Sequence, residues 1–109
     1  MTSPLAHLDA DELRVVRSVG AVFNMNPKAI VGPVRLRHIY AARLATIILL
    51  RESGRSTPAI GRALKRHHTS VLHALKGDSP AARLPDFAEK LQRARACRDA
   101  WLGDEEARV

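Results

Sequence analysis

Residues 56–76 read STPAIGRALKRHHTSVLHALK, and this stretch predicts two short helices joined by a tight basic corner. Ser56 or Thr57 can cap the first helix, and Pro58 falls in its first turn, where a missing N–H is tolerated. Apolar residues recur at helical spacing on both sides of the corner, namely Ile60, Ala63, Leu64, Val71, Leu72, Ala74 and Leu75. The pattern predicts a helix-turn-helix, whose second helix presents its N-terminal turn to base edges in the DNA major groove.

Basic residues are concentrated around this motif. Eight Lys and Arg residues lie between Arg35 and Arg66 against one acidic residue, Glu52, so this segment carries the whole formal net charge of +7. An ordinary solvated surface spreads its charge, whereas a basic cluster around a helix-turn-helix is typical of a surface that faces phosphates. The alternative is a generally basic surface in an arginine-rich protein.

The same residues resemble a known family. Residues 60–61, Ile-Gly, and residues 66–74, RHHTSVLHA, resemble the signature of the C-terminal DNA-binding domain, domain IV, of the bacterial replication initiator DnaA. Upstream, the segments around Arg35 and Arg51 resemble the basic loop and long helix of that domain, and the resemblance covers roughly residues 11–75. It implies an all-α fold, a compact domain of five to six helices with an embedded helix-turn-helix.

The resemblance also implies which residues contact DNA. Arg35 corresponds to the arginine that enters the minor groove from the basic loop, and the corner that begins near Arg66 corresponds to the turn that reads the major groove. For Arg35 the alternative is an ordinary exposed arginine at a helix start. The implied DNA-binding residues are Arg35, Arg37, Arg43, Arg51, Thr57, Pro58, Lys65, Arg66, His67, His68, Thr69 and Ser70.

The chain departs from the family pattern in this region. His67 stands where the family usually has Asp, and Ala41 stands where many members have a basic residue. The corner is also one residue shorter than the common form. The resemblance therefore implies duplex DNA binding more firmly than it implies recognition of the family's own DNA site, the DnaA box.

Local signals predict three further helices before the motif. Asp9 and Glu12 form a capping box that starts the first helix. The second is a short helix that Asn26 caps and Pro27 starts, and Gly32 and Pro33 end it.

A long helix begins near Arg35 and ends before Gly54, which is typical of a residue just past a helix end. This helix is expected to carry one apolar band made of Leu36, Ile39, Tyr40, Leu44, Ile47 and Ile48.

A last helix opens at Pro85 and Asp86 and is predicted to end at Gly103. Its apolar stripe is expected to pack on the core and consists of Phe87, Leu91, Ala94, Cys97 and Trp101. The domain organisation that follows is a flexible N-terminus at residues 1–8, a single DNA-binding domain at 9–102 and a polar tail at 103–109.

No residue pattern predicts catalysis, a metal site or a cofactor. The histidines around the corner lack the i, i+4 spacing that lets two imidazoles bind one metal ion, and no glycine-rich phosphate loop is present. Ser70 lies near His68 without an orienting carboxylate, which is typical of helix capping and not of a nucleophile. We therefore expect neither enzymatic activity nor a cofactor.

Cysteine usage and hydropathy favour a cytoplasmic protein. Cys97 is the one cysteine, which excludes a disulfide within the chain and favours a reducing compartment. The most apolar run, residues 47–50, is far shorter than the ~20 residues of a membrane span. The N-terminal residues lack the pattern of a signal peptide. We expect a cytoplasmic protein associated with the nucleoid.

The expected function is binding of double-stranded DNA at sites related to the DnaA box, regulating replication initiation or transcription without ATPase activity. Double-stranded DNA is the expected partner, with the full-length initiator or its regulators as further partners, and the protein is expected to be a monomer. The alternative is a protein-interaction adaptor that has lost specific DNA recognition and docks through the helix from Phe87 to Trp101.

Overall fold

The computed structural model describes residues 5–33, 36–77 and 80–107, with the side chains of all but 37 and 101–107. Six α-helices lie in these ranges, and no strand does. They are α1 (Ala10–Phe23), α2 (Pro27–Val31), α3 (Arg37–Glu52), α4 (Thr57–Leu64), α5 (His68–Leu75) and α6 (Phe87–Ala107), with a 3₁₀ turn at Pro80–Arg83 before α6. The predicted all-α class is confirmed.

Helix α3 lies at the centre of the molecule, in contact with all five other helices. Every residue from Ala41 to Leu50 is buried except Ile48, which is half-buried. The predicted single apolar band is therefore wrong in two respects: Leu36 and Tyr40 are 54% and 41% exposed, whereas Leu50 is fully buried. A helix surrounded by others buries most of its circumference, so the usual 3.6-residue period does not mark its buried face.

The capping box at the start of α1 is confirmed. The backbone N–H of Glu12 donates to Asp9 Oδ1 at 2.8 Å, and the N–H of Asp9 donates to Glu12 Oε1 at 3.0 Å. Residues 5–8, part of the segment predicted to be flexible, form a turn in which Leu8 packs against the core. His7 Nε2 also donates to the carbonyl of Ala63, at 2.7 Å. Residues 1–4 lie outside the described residues.

Helix α6 packs mainly along α1, with Phe87 and Ala94 buried. The predicted helix end at Gly103 is wrong, because the helix continues to Ala107. A single glycine in a helix costs only about 1 kcal/mol relative to alanine, and no proline follows it here. Most of the predicted polar tail is thus helical. Among the described residues, no helix is long and apolar enough to cross a membrane.

An ion pair joins the end of α3 to α6. Arg95 donates to both carboxylate oxygens of Glu52, from Nε at 2.9 Å and from Nη2 at 2.6 Å. The hydrogen bond from Arg95 holds the pKa of Glu52 below its ordinary value. Because the pKa is lowered in the folded state, the pair stabilises the fold above the ordinary glutamate pKa and loses that effect as pH falls through the folded-state pKa.

We expect Glu52→Gln to weaken the acid sensitivity of the fold. The free energy of unfolding of the wild type should fall more steeply than that of the variant between about pH 5 and pH 3. The difference should stay below about 1 kcal/mol, because the Glu52 side chain is 37% exposed and screened by water. Urea unfolding at several pH values measures it, with Glu89→Gln as the exposed control. Identical pH profiles for Glu52→Gln and the wild type would contradict the prediction.

Candidate nucleic-acid interface

Helices α4 and α5 form the predicted helix-turn-helix. The side chain of Ser56 caps α4 by accepting from the N–H of Ala59 at 3.3 Å, and Pro58 lies in the first turn. The corner then takes three residues, of which Lys65 has the left-handed conformation with φ 55° and ψ 43°. His67 is the N-cap of α5. Helix α4 thus begins where local chemistry predicts, and the corner lies between the two predicted helices.

A glycine allows the corner to fold tightly against α4. The N–H of Arg66 donates to the carbonyl of Gly61 at 2.7 Å. A Cβ atom at position 61 would lie 2.6 Å from the carbonyl oxygen of Arg66, which is a backbone atom and cannot easily move. The Ile-Gly pair of the sequence signature therefore has a steric basis in the angle between the two helices.

The N-terminal turn of α5 faces solvent, while the opposite side of the helix is buried. Val71 and Ala74 are 0% and 4% exposed and pack in the core. Leu72, predicted as part of the apolar pattern, is 44% exposed. The exposed residues of the first turn and its cap are His67, His68, Thr69 and Ser70. A helix end that enters a major groove needs this arrangement.

His67 caps α5 through its imidazole ring. Its Nδ1 accepts from the N–H of Thr69 at 3.2 Å and also contacts the Thr69 hydroxyl. Because Nδ1 accepts a hydrogen bond, the proton of the neutral ring lies on Nε2. The ring centroid lies 4.4 Å from that of His68, so the two imidazole rings lie side by side. Aspartate, the usual family residue at this position, is also a favourable N-cap. The sequence therefore carried a sign that position 67 caps a helix, and sequence reasoning missed it.

Arg43 lies in the interior of the protein, whereas a residue that contacts a DNA phosphate must lie on the surface. Its side chain lies against the C-terminal end of α2, where Nε donates to the carbonyl of Ile30 at 2.7 Å. Nη2 donates to the carbonyls of Ala29 and Gly32 at 3.1 and 2.9 Å. The residue is 4% exposed. Carbonyls at a helix end lack donors within the helix, so Arg43 completes the end of α2.

Arg66 shares one of these acceptors. Its Nη2 donates to the carbonyl of Gly32 at 2.8 Å, so the helix-turn-helix corner is tied to the connection between α2 and α3. That connection leads to Arg35, which lies outside the described residues. The backbone of Arg37 forms the first residue of α3, and nothing further is described for it. The sequence-based role of Arg35 stays a prediction.

The other predicted contacts lie around the start of α4. Arg51 is exposed and donates from Nη1 to the carbonyl of Arg55 at 3.3 Å. Thr57 is half-buried and Pro58 exposed at the N-terminus of α4. Arg55, by contrast, pairs with Asp9 at 2.9 Å, so its charge is offset by a carboxylate of the α1 cap. These positions bring Arg51 and the α4 N-terminus close together.

Ala41, the second departure from the family pattern, is only 3% exposed. No DNA contact is therefore expected from this position.

The surface of the helix-turn-helix has almost no acidic residues. From position 13 to position 77, Glu52 is the one acidic residue of the sequence. Its carboxylate is engaged by α6, where Arg95 and Arg98 lie at 2.6 and 3.8 Å. The positive end of the α5 dipole adds to the charge of the corner. Glu52 is thus the one carboxylate of this segment, and Asp9, which lies outside the segment, pairs with Arg55 beside the start of α4.

Comparison with known proteins agrees with this geometry. Residues 13–77 match the family described as the bacterial DnaA protein helix-turn-helix. The chain belongs to this family. The match extends from α1 to the end of α5 and includes the whole helix-turn-helix. It confirms the resemblance seen in the sequence, and it supports DNA binding in replication initiation as the activity of the DnaA helix-turn-helix domain.

Chromosomal replication initiator proteins DnaA are among its relatives. Those of two strains of Thermus thermophilus are 35% identical over 71 residues, covering 63% of this chain and 16% of the relative. That of Deinococcus deserti is 37% identical over 62 residues, covering 56% of this chain and 14% of the relative. The chain thus matches about one sixth or less of the length of these initiators.

Proposed function

We propose that the protein binds duplex DNA at sites related to the DnaA box and thereby regulates replication initiation or transcription. The N-terminal turn of α5 enters the major groove, and Arg35 enters the adjacent minor groove. The observation that carries the proposal is the set of four exposed polar residues, 67–70, at the start of a helix whose other side is anchored in the core. The family membership supports the same activity.

Phosphate contacts are proposed for the groups that surround this turn. Arg51 and the N-terminus of α4 lie on one side of this turn, where the backbone N–H of Thr57 can bind a phosphate. Pro58 has no N–H and contributes by starting the helix at this point. Lys65 and Arg66 supply the charge of the corner, and Arg37 supplies charge at the start of α3. Arg43 is left out of this set because its guanidinium is buried against carbonyls.

Base reading is proposed for His68, Thr69 and Ser70. The Thr69 methyl group and the imidazole edge of His68 offer apolar contacts to a thymine methyl, and the hydroxyl groups can donate to or accept from base edges. Packing of Val71 and Ala74 fixes the helix beneath these side chains. A reading surface held by the core in this way favours sequence preference over purely electrostatic binding.

Selection of bound sequences from random duplexes, with purified protein, tests the proposal. We expect enrichment of a sequence related to the DnaA box, and a log–log salt slope of about −3 to −5 on the selected site. His68→Ala should weaken the preference for that site while the salt slope stays the same. Arg93→Ala, on the exposed surface of α6, is the matched control. No enriched sequence together with a slope near zero would contradict the proposal.

The adaptor function remains the second candidate and finds less support. Phe87 and Ala94 of the α6 stripe are buried in the core, so they are not available for docking. Weak, sequence-blind DNA binding together with a tight protein partner would favour the adaptor. If the protein binds boxes as proposed, it acts at the nucleoid in the cytoplasm, where it competes with the full initiator or assists it.

A further inference from the structure

A cationic cleft lies between the end of α2 and the corner of the helix-turn-helix. It has a volume of about 350 Å³. The residues that line it are Lys28, Val31, Gly32, Pro33, Lys65 and Arg66. Three of these six are basic and none is acidic. Lys28 is new to the interface, because it lies on α2 and outside the basic cluster of the sequence.

Hydrogen bonds hold the two walls of the cleft together. The carbonyl of Gly32 accepts from Arg66 at 2.8 Å and from Arg43 at 2.9 Å, which joins the corner to the α2 end. The N–H of Lys28 donates to the side chain of Asn26, the N-cap of α2, at 2.9 Å. Lys65, the first residue of the corner, has the left-handed backbone conformation. The backbone positions of both lysines are therefore fixed.

The two lysines of the cleft differ in their partners from Arg55 and Arg95. Lys28 and Lys65 are exposed, and neither forms an ion pair with another residue in the described part of the chain. Arg55 and Arg95, in contrast, each pair with a carboxylate within 3 Å. Like charges that share a cleft repel one another, so an anion placed between them relieves this repulsion.

The position of the cleft indicates which anion it takes. Lys65 and Arg66 directly precede His67, the cap of α5, so the cleft adjoins the helix end that is proposed to read DNA. Lysine ammonium groups bind phosphate as point charges and do not need a fixed direction of approach. A phosphodiester of a DNA strand that passes the N-terminus of α5 is the anion that this position favours.

We infer that the cleft binds one phosphodiester of the DNA backbone at the edge of the recognised site. Lys28 and Lys65 contact the phosphate, and Arg66 is a positioning residue that holds the corner against Gly32. This inference rests on the proposed function. It extends the footprint from the helix-turn-helix to α2, where the sequence gives no sign of a contact, since a lone lysine on a short helix is typical of a solvated surface.

Salt dependence of binding to the selected duplex tests the inference. The double variant Lys28→Gln/Lys65→Asn should make the log–log slope less steep by about 0.9, the contribution of one phosphate, and each single variant should remove part of that amount. Asparagine is chosen at position 65 because it tolerates the left-handed conformation. The preferred sequence should not change, because phosphate contacts carry no direct sequence information. Arg93→Ala removes one charge from α6 and should keep the wild-type slope.

A neutral methylphosphonate placed at each backbone position in turn locates the contact. One position at the edge of the site should weaken binding by the wild type and leave the Lys28→Gln/Lys65→Asn double variant unaffected. If the wild type shows salt-dependent binding and Lys28→Gln keeps the wild-type slope, the phosphate contact in the cleft is contradicted and the proposed function stands. If Arg93→Ala makes the slope less steep by as much as Lys28→Gln does, the change reports the overall charge of the protein, and the phosphate contact in the cleft is again contradicted. If the wild type shows no salt-dependent duplex binding, both the proposed function and the cleft fail.

Discussion

Arg43→Ala should lower the free energy of unfolding by about 1.5–3 kcal/mol, because it removes hydrogen bonds from a charged donor to the carbonyls at the end of α2. The guanidinium donates to three carbonyls near the end of α2, with the closest contact to Ile30 at 2.7 Å. After the substitution the Gly32 carbonyl keeps its donor Arg66, but the Ile30 carbonyl loses the donor that Arg43 supplies. A buried carbonyl without a donor carries its full desolvation cost. Denaturant unfolding followed by circular dichroism measures the change.

Two control variants separate this structural role from a role of charge. Arg43→Lys keeps the charge but cannot reproduce the planar fork that reaches three acceptors, so it should recover only part of the loss. Arg62→Ala removes an exposed arginine of α4 and should change stability by less than about 0.5 kcal/mol. If Arg43→Ala stays within about 0.5 kcal/mol of the wild type but loses DNA affinity, Arg43 contacts phosphate and the structural role is wrong.

The ends of the helices followed from the sequence because they depend on neighbouring residues. The capping box of Asp9 and Glu12, the proline at the start of α2 and the left-handed Gly54 after α3 are all local features. Each of these features starts or ends a helix through backbone groups only a few residues away, so no knowledge of the tertiary structure is needed to predict it. Gly103 was the exception, since a glycine followed by good helix formers does not have to end a helix.

The burial pattern of α3 did not follow from the sequence. An arginine such as Arg43 normally indicates a solvated surface, and its burial depends on where the end of α2 lies in three dimensions. Leu36 and Tyr40 fit an apolar period but lie on the first turn and cap of α3, where they are exposed. Periodicity reports which residues are apolar, whereas the packing of the other helices decides which are covered.

The corner of the candidate site was predicted in its position but not in its contacts. The exposed run that starts at His67 agrees with the sequence signature. The cap formed by the His67 ring and the bond from Arg66 to Gly32 were not foreseen. The first depends on a side-chain rotamer, and the second joins residues 34 positions apart. The position of Lys28 was not foreseen either, because only the tertiary fold brings α2 beside the corner.

His67→Asp should shift the selected DNA sequence toward the DnaA box, with about 1–3 kcal/mol of discrimination changed at one base pair. In the wild type Nδ1 is used by the N–H of Thr69, which leaves Nε2–H as a donor toward guanine O6 or N7, or toward a phosphate. Aspartate also caps a helix, so α5 should remain intact. Its carboxylate accepts from cytosine N4, so the substitution exchanges a donor for an acceptor at one place in the groove.

Capping and base reading are separated by two further variants at this position. His67→Asn keeps the cap without a charge, so a shift shared by Asp and Asn reports base reading, whereas a loss unique to Asp reports repulsion by phosphates. His67→Ala removes the cap, which should cost about 1 kcal/mol of stability. It also removes the ring that lies 4.4 Å from His68, so the preference at the base read by His68 should weaken as well. If the wild type and His67→Asp select the same sequence with the same stringency, residue 67 serves only as a cap, and the reading of DNA begins at His68.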